Sequence, residues 1–163
     1  MRRFVVAASV LLAAAGCRIE DRTPTGSRQD EATVREVLAA FYQSRAAHDW
    51  AGARDLMWDS ATVELHQPVA GGLWSIYRSA DDYLTAERRA SRGAEPGDGV
   101  RVVRTDFRQQ GPLAAVWVTT RTELPPPLAG SVVAIDHFLL RRIDGAWRIV
   151  HLVSIPDRDA AGP

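Results

Sequence analysis

The sequence predicts an α+β domain: about three N-terminal helices followed by mostly antiparallel strands. Three observations carry this. Val34, Val37, Leu38, Phe41 and Tyr42 recur at helical spacing, with Arg35, Glu36, Gln43 and Ser44 on the other face. The second half of the chain alternates apolar and polar residues in long runs, among them SVVAIDHFLLRR and WRIVHLVSI. Between those two runs stands Asp144-Gly145, a strong hairpin turn signal. Helices first and strands after is an α+β order. A strongly curved sheet covered by helices encloses a cone, whose wide end is a natural pocket.

The chain has 163 residues, enough for one domain with a real core. Its start reads differently from the rest. Met1-Arg2-Arg3 is a basic opening, and residues 4–15, FVVAASVLLAAA, form an apolar run too short for a confident membrane span. Ala14, Ala15 and Gly16 then precede Cys17, the single cysteine. Residues 1–16 are expected to be a signal peptide, and residues 17–30 a polar tether containing Pro24 and Gly26. With one cysteine, no disulfide forms within the chain.

The first helix is expected to be capped by Asp30 or Thr33 and to end near Ala47-His48. A shorter helix follows with Trp50, Ala53, Leu56 and Met57 on one side. Residues 61–65, ATVEL, read as a short strand, and residues 66–78 as a loop with a short strand at LWSIY. Ser79 stands three positions before Asp82, a capping spacing that opens a third helix over 80–90. Strands are expected over 100–109 and 113–124, and the rigid turn LPPPLAG leads into the final hairpin. The domain is placed at 31–156 and a disordered tail at 157–163.

Composition excludes several function classes. All 20 basic residues are arginine and they balance 20 acidic ones. Arg88-Arg89 and Arg141-Arg142 are isolated pairs, so no basic surface for nucleic acid is expected. The four histidines lack metal-ligand spacing, Gly71-Gly72 stands alone rather than in a phosphate loop, and no GxSxG elbow is present. No metal and no cofactor are expected.

Two resemblances add to this reading. LLAAAGC resembles a bacterial lipobox, which implies a lipid on Cys17 after cleavage behind Gly16. Localisation would be extracytoplasmic, at the cell envelope, and Arg18 after the cysteine is similar to the outer-membrane type. The layout from FYQSRAAHDWAGARDLMWDSATVEL to IDHFLLRRIDGAWRIVHLVSI resembles the NTF2-like superfamily, nearest to its SnoaL-like and ketosteroid isomerase-like domains. That resemblance implies an NTF2-like cone, about three N-terminal helices packed on a strongly curved, mixed, mainly antiparallel sheet, often dimeric through the outer sheet face. In the isomerase pattern a first-helix tyrosine and a late-strand aspartate hold the oxyanion, and a second aspartate moves the proton. The tyrosine position falls here on Phe41 and the base position on Leu65; only the late-strand acid is kept, as Asp136. Phenylalanine donates nothing to an oxyanion and leucine takes no proton. Tyr42 and His66 stand one residue away from the two losses.

Asp136 is the residue that needs an explanation. It shares a strand face with Ala134, Phe138 and Leu140, while Ile135, His137 and Leu139 point the other way. A carboxylate among apolar neighbours is costly unless it is paired, hydrogen-bonded or protonated. It either polarises a pocket or belongs to a structural polar network. Expected pocket residues are Phe41, Tyr42, Trp58, Leu65, Trp74, Tyr77, Asp136 and Phe138, with Trp74 and Tyr77 suited to stacking on a ligand. His137 reads as core or interface, His48 as a cap, and His151, taken to alternate with Trp147, Ile149 and Val153, as a sheet residue near the pocket rim.

The leading expectation is a lipid-anchored domain binding a small, largely apolar molecule with a polar group, without turnover. One alternative is an isomerase, cyclase or hydrolase with Asp136 and His66 as its acid–base pair. The other is a structural domain whose pocket is filled by its own aromatics, with the outer sheet face used for a homodimer. An empty cavity above roughly 300 Å³ at Asp136 favours the first two.

Overall fold

The computed structural model describes residues 27–93, 96–97, 100–123 and 130–157. The signal segment, Cys17, most of the tether, residues 124–129 of the proline-rich turn and the tail from 158 onward lie outside the described residues. In chain order come α1 (Arg28–Ala46), α2 (Trp50–Asp55), β1 (Met57–Val69), β2 (Gly72–Ser79), α3 (Ala80–Ala90), β3 (Arg101–Gln110), β4 (Leu113–Glu123), β5 (Ser131–Ile143) and β6 (Ala146–Pro156).

Helix α1 begins inside the stretch expected as tether. Its cap is Ser27, whose Oγ accepts from the Asp30 N–H at 3.0 Å. Asp30 is drawn inward instead: it pairs with Arg142 and accepts from Gln109 Nε2 at 3.0 Å, fixing the start of α1 to β3 and β5. The cap of α3 is the expected one: Ser79 Oγ accepts from the Asp82 N–H at 3.1 Å and donates to Asp82 Oδ2 at 2.8 Å.

The six strands form one mixed sheet in the order β2-β1-β6-β5-β4-β3, antiparallel except for the β1–β6 pair. The expected strong curvature into a cone is corrected here. The sheet is open, with β2 and β3 as its two edges. Side chains fill the centre of the space between helices and sheet: Phe41, Tyr42 and Phe138 meet edge to face, with ring centroids 5.7–5.9 Å apart.

Residues 66–78 are strand, not loop. β1 runs on through Val69 and turns at Gly71, whose φ of +88° suits glycine, into β2. Pro68 is tolerated because β1 pairs with β6 only as far as Leu65, leaving Pro68 with β2 alone. Met57, expected on α2, opens β1. A second correction lies in β6. Leu139 faces His151 but Leu140 faces Ile149, so Val150 is an extra, bulged residue. The bulge switches parity. Trp147 and Ile149 are buried with Leu152 on the helix-covered face, and His151 falls on the other.

Candidate functional site: a carboxylate cavity between the helices and the sheet

Register brings the site together. Leu65 on β1 pairs with Ser154 on β6, Ser154 with Asp136 on β5, and Asp136 with Val118 on β4. These four lie in one row across the sheet. On one side of the row the same face is dry: Val63, Leu152, Phe138 and Val116 are all buried. On the other side it turns polar, with Thr120 beside Ala134 and Thr122 beyond. Asp136 stands at that boundary.

Asp136 is only 6% exposed, and both its oxygens are engaged. Tyr42 Oη donates to Oδ2 at 2.6 Å and Ser154 Oγ to Oδ1 at 2.6 Å. Burial, and then the charge and hydrogen bond of Asp136, push the Tyr42 phenol far above its ordinary value, so Tyr42 keeps its proton and donates.

The open end holds a cavity of about 190 Å³. Its floor is Leu65, Leu152, Ser154, Asp136, Ala134, Thr120 and Thr122; its other walls are Arg45 at the end of α1, Tyr83 and Glu87 on α3, and Val100. Arg45 pairs with Glu87 at 2.5 Å and lies over the rings of Phe41 and Tyr83, 5.7 Å from each centroid. The partners Tyr83, Glu87 and Asp136 raise the Arg45 pKa despite the opposing effect of burial. The Gly97 N–H bonds to Ala46 O at 3.0 Å and ties the following turn to this end of α1. The cavity is smaller than the roughly 300 Å³ expected for an ordinary ligand pocket. It has room for about six water-sized volumes, so an occupant has few heavy atoms.

A second, apolar cavity of about 200 Å³ lies on the other side of Tyr42, lined by Leu38, Ala39, Val102, Thr105 and Val118 with Arg35 among the lining residues. Tyr42 therefore lines this cavity while its hydroxyl reaches Asp136.

The expected site residues divide. Leu65 and Asp136 line the Asp136 cavity, and Tyr42 stands behind Asp136. Phe41 and Phe138 are fully buried core, and Trp58 packs partly buried against it. Trp74 and Tyr77 are exposed on the edge strand β2, at 61% and 71%, and do not line this cavity. His66 is not brought to Asp136. Leu65 faces the cavity, so its neighbours Glu64 and His66 face away. His66 Nε2 lies 3.0 Å from Glu64 Oε1 and its Nδ1 3.2 Å from Ser75 Oγ. The acid–base pair expected as an alternative is not assembled. His151 is also on the outer face, its Nδ1 2.8 Å from Thr62 Oγ1, rather than at the pocket rim. His137 stacks on Trp117 there, with centroids 4.7 Å apart.

Arg45, Tyr83, Glu87 and Ser154 were not singled out from the sequence. Arg45 had a signal: it follows Phe41 by four on one helix face. Ser154 had none, because the bulge at Val150 hides its parity. Among the described residues no cluster of His, Cys, Asp and Glu is arranged to hold a metal ion.

No family model and no curated protein matches the sequence. Solved structures do match the fold. An NTF2-like protein of unknown function from Pseudomonas putida KT2440 superposes with a TM-score of 0.64 at 13% identity, over 83% of this chain and 94% of that one. One from Methylobacillus flagellatus KT gives 0.63 at 19%, over 83% and 98%. A protein of unknown function with a cystatin-like fold from Nostoc punctiforme PCC 73102 gives 0.62 at 12%, over 81% and 94%. The buried carboxylate and its cavity thus sit on a fold shared with NTF2-like and cystatin-like structures.

Proposed function

We propose that this protein is a non-catalytic binding domain for a small molecule, akin to SnoaL-like and ketosteroid isomerase-like domains and anchored at the cell envelope by a lipid on Cys17. The observation that carries the binding reading is Asp136: a carboxylate satisfied by two hydroxyls and set against a cavity. The cavity falls below the roughly 300 Å³ that would by itself favour a ligand, so the reading rests on the carboxylate set against it, and the occupant is correspondingly small. The absence of turnover follows from what faces Asp136. Leu65 stands where a base is needed, Phe41 is sealed in the core, and His66 faces away.

Anchoring is supported by the apolar run 4–15 and the small residues before Cys17. Native mass spectrometry of the protein from its host membrane tests both parts together. The expected result is an acylated N-terminal Cys17 and a retained small ligand. An unmodified thiol on a protein released without detergent overturns the anchor. A ligand-free protein that also binds no small molecule in solution overturns the binding reading.

A second role is favoured by the face of the sheet opposite the helices. Ile135, Ile155 and Trp117 are each 37% exposed there. We propose that a second copy covers them in an isologous contact.

A further inference from the structure

We propose that the occupant of the Asp136 cavity is a small organic cation: a primary or secondary ammonium carrying a short apolar substituent. This rests on the binding-pocket reading above and adds the chemical class.

The argument begins with charge. The described charged groups lining the cavity are Arg45, Glu87 and Asp136, one cation against two carboxylates. Arg45 is paired with Glu87 at 2.5 Å, while its Nε is buried without a hydrogen-bond partner among the described residues. Asp136 has no ion-pair partner among the described residues. Its two oxygens face two neutral hydroxyls, Tyr42 Oη and Ser154 Oγ, each at 2.6 Å. Arg45 also feels the Asp136 charge, yet one cation faces two carboxylates, so the lining keeps a net negative charge that a cationic ligand relieves.

Hydrogen-bond polarity points the same way. A carboxylate offers about four acceptor sites, and Tyr42 and Ser154 occupy two. Ser154 spends its proton on Asp136, and Thr120 spends its own on Ala134 O at 3.3 Å. Both hydroxyls are left with lone pairs to offer. With the free lone pairs of Asp136 these acceptors favour a donor-rich group on this side of the cavity, and an ammonium brings two or three N–H bonds. Leu65, Leu152 and Val100 supply an apolar side for a short substituent. A carboxylate ligand would instead meet Asp136 and Glu87.

The test uses three isosteres of a size the cavity admits: n-butylamine, 1-butanol and butyrate, titrated at pH 7 into the full chain while backbone amides are followed by NMR. The expected result is shifts at Thr122 and Ser154 with butylammonium binding at least about tenfold tighter than butanol, a 1.4 kcal/mol difference. Asp136→Asn should abolish that preference. Glu87→Gln, on the more open side of the cavity, should reduce it and serves if the first variant does not fold. Butanol binding as tightly, or butyrate more tightly, at the same amides overturns the cation and leaves the pocket standing. No shift with any of the three up to about 50 mM, far beyond the 1 mM scale of weak binding, overturns the pocket reading as well.

Discussion

Tyr42 Oη donates a 2.6 Å hydrogen bond to Asp136 Oδ2 across 94 residues of sequence, tying α1 to β5 in the interior. Removing the hydroxyl by Tyr42→Phe keeps the ring and its contacts with Phe41 and Phe138 but leaves one carboxylate oxygen short of a donor. A buried acceptor left unsatisfied costs about 1–3 kcal/mol. Urea unfolding should show a lower midpoint at unchanged slope. A loss below about 0.5 kcal/mol, the size of an ordinary surface substitution, would mean that water replaces the hydroxyl and the site is wetter than the structure implies.

Alkaline pH should weaken the same tie. The folded pKa of Tyr42 is raised above its ordinary 10.0, first by burial and then by the Asp136 charge. A group raised in the folded state contributes stability that is fully present below its unfolded pKa and lost as pH rises beyond it. Tyr83 is raised by burial too and adds to the same loss. Stability should therefore fall from about pH 10 upward, less steeply in Tyr42→Phe. An equal slope in the variant would remove Tyr42 from the account.

His137 sets an opposite, acid-side dependence. Desolvation, and secondarily the neighbouring His151, lower its pKa below the ordinary 6.5. Its Nε2 is buried without a partner among the described residues, so a proton there meets no acceptor. A depressed histidine makes the unfolded chain bind more protons than the folded one below about pH 6.5, so stability drops as pH falls through that value. His137→Gln should flatten the stability–pH curve between about pH 6.5 and 5. Two-dimensional NMR of the imidazole checks the cause: an apparent pKa at or above 6.5 would contradict it.

How much of this was readable in the residues differs by level. The α1 stripe, the Ser79 cap and the Asp144-Gly145 turn are local signals, and the structure carries all three as local features. The burial of Asp136 beside Phe138 and Leu140 also followed from alternation, because β5 keeps its parity at those positions. What alternation misses is a bulge. Val150 moved His151 to the outer face and brought Ser154 to Asp136, and one extra residue leaves no mark in composition. The continuation of β1 through Pro68 was missed for a related reason. A proline reads as a break until the neighbouring strand is known to end at Leu65. Strong curvature was carried by resemblance rather than by any residue pattern, and the open sheet corrects it. Arg45 and Glu87 meet from two helices, a pairing that no short-range spacing encodes.

The outer face of the sheet yields the remaining prediction. Ile135 and Ile155 are cross-strand partners on β5 and β6, and Thr119 extends their row onto β4. Trp117 and His137 form the next pair on the same face, followed by Leu139 opposite His151. The helices cover the other face, where the buried core lies, so this apolar strip faces outward. A patch centred on β5 and β6 suits a two-fold contact, because the same residues then meet across the axis and close the assembly. Sedimentation at about 100 μM should show a dimer, since a contact with a Kd near 1 μM is close to saturated there. Ile135→Glu places a charge at the centre of that strip. It should give a monomer without lowering the unfolding midpoint by more than a surface substitution does, because Ile135 packs on no helix. A wild-type monomer at that concentration removes the dimer. A dimer that survives Ile135→Glu moves the contact elsewhere on the molecule.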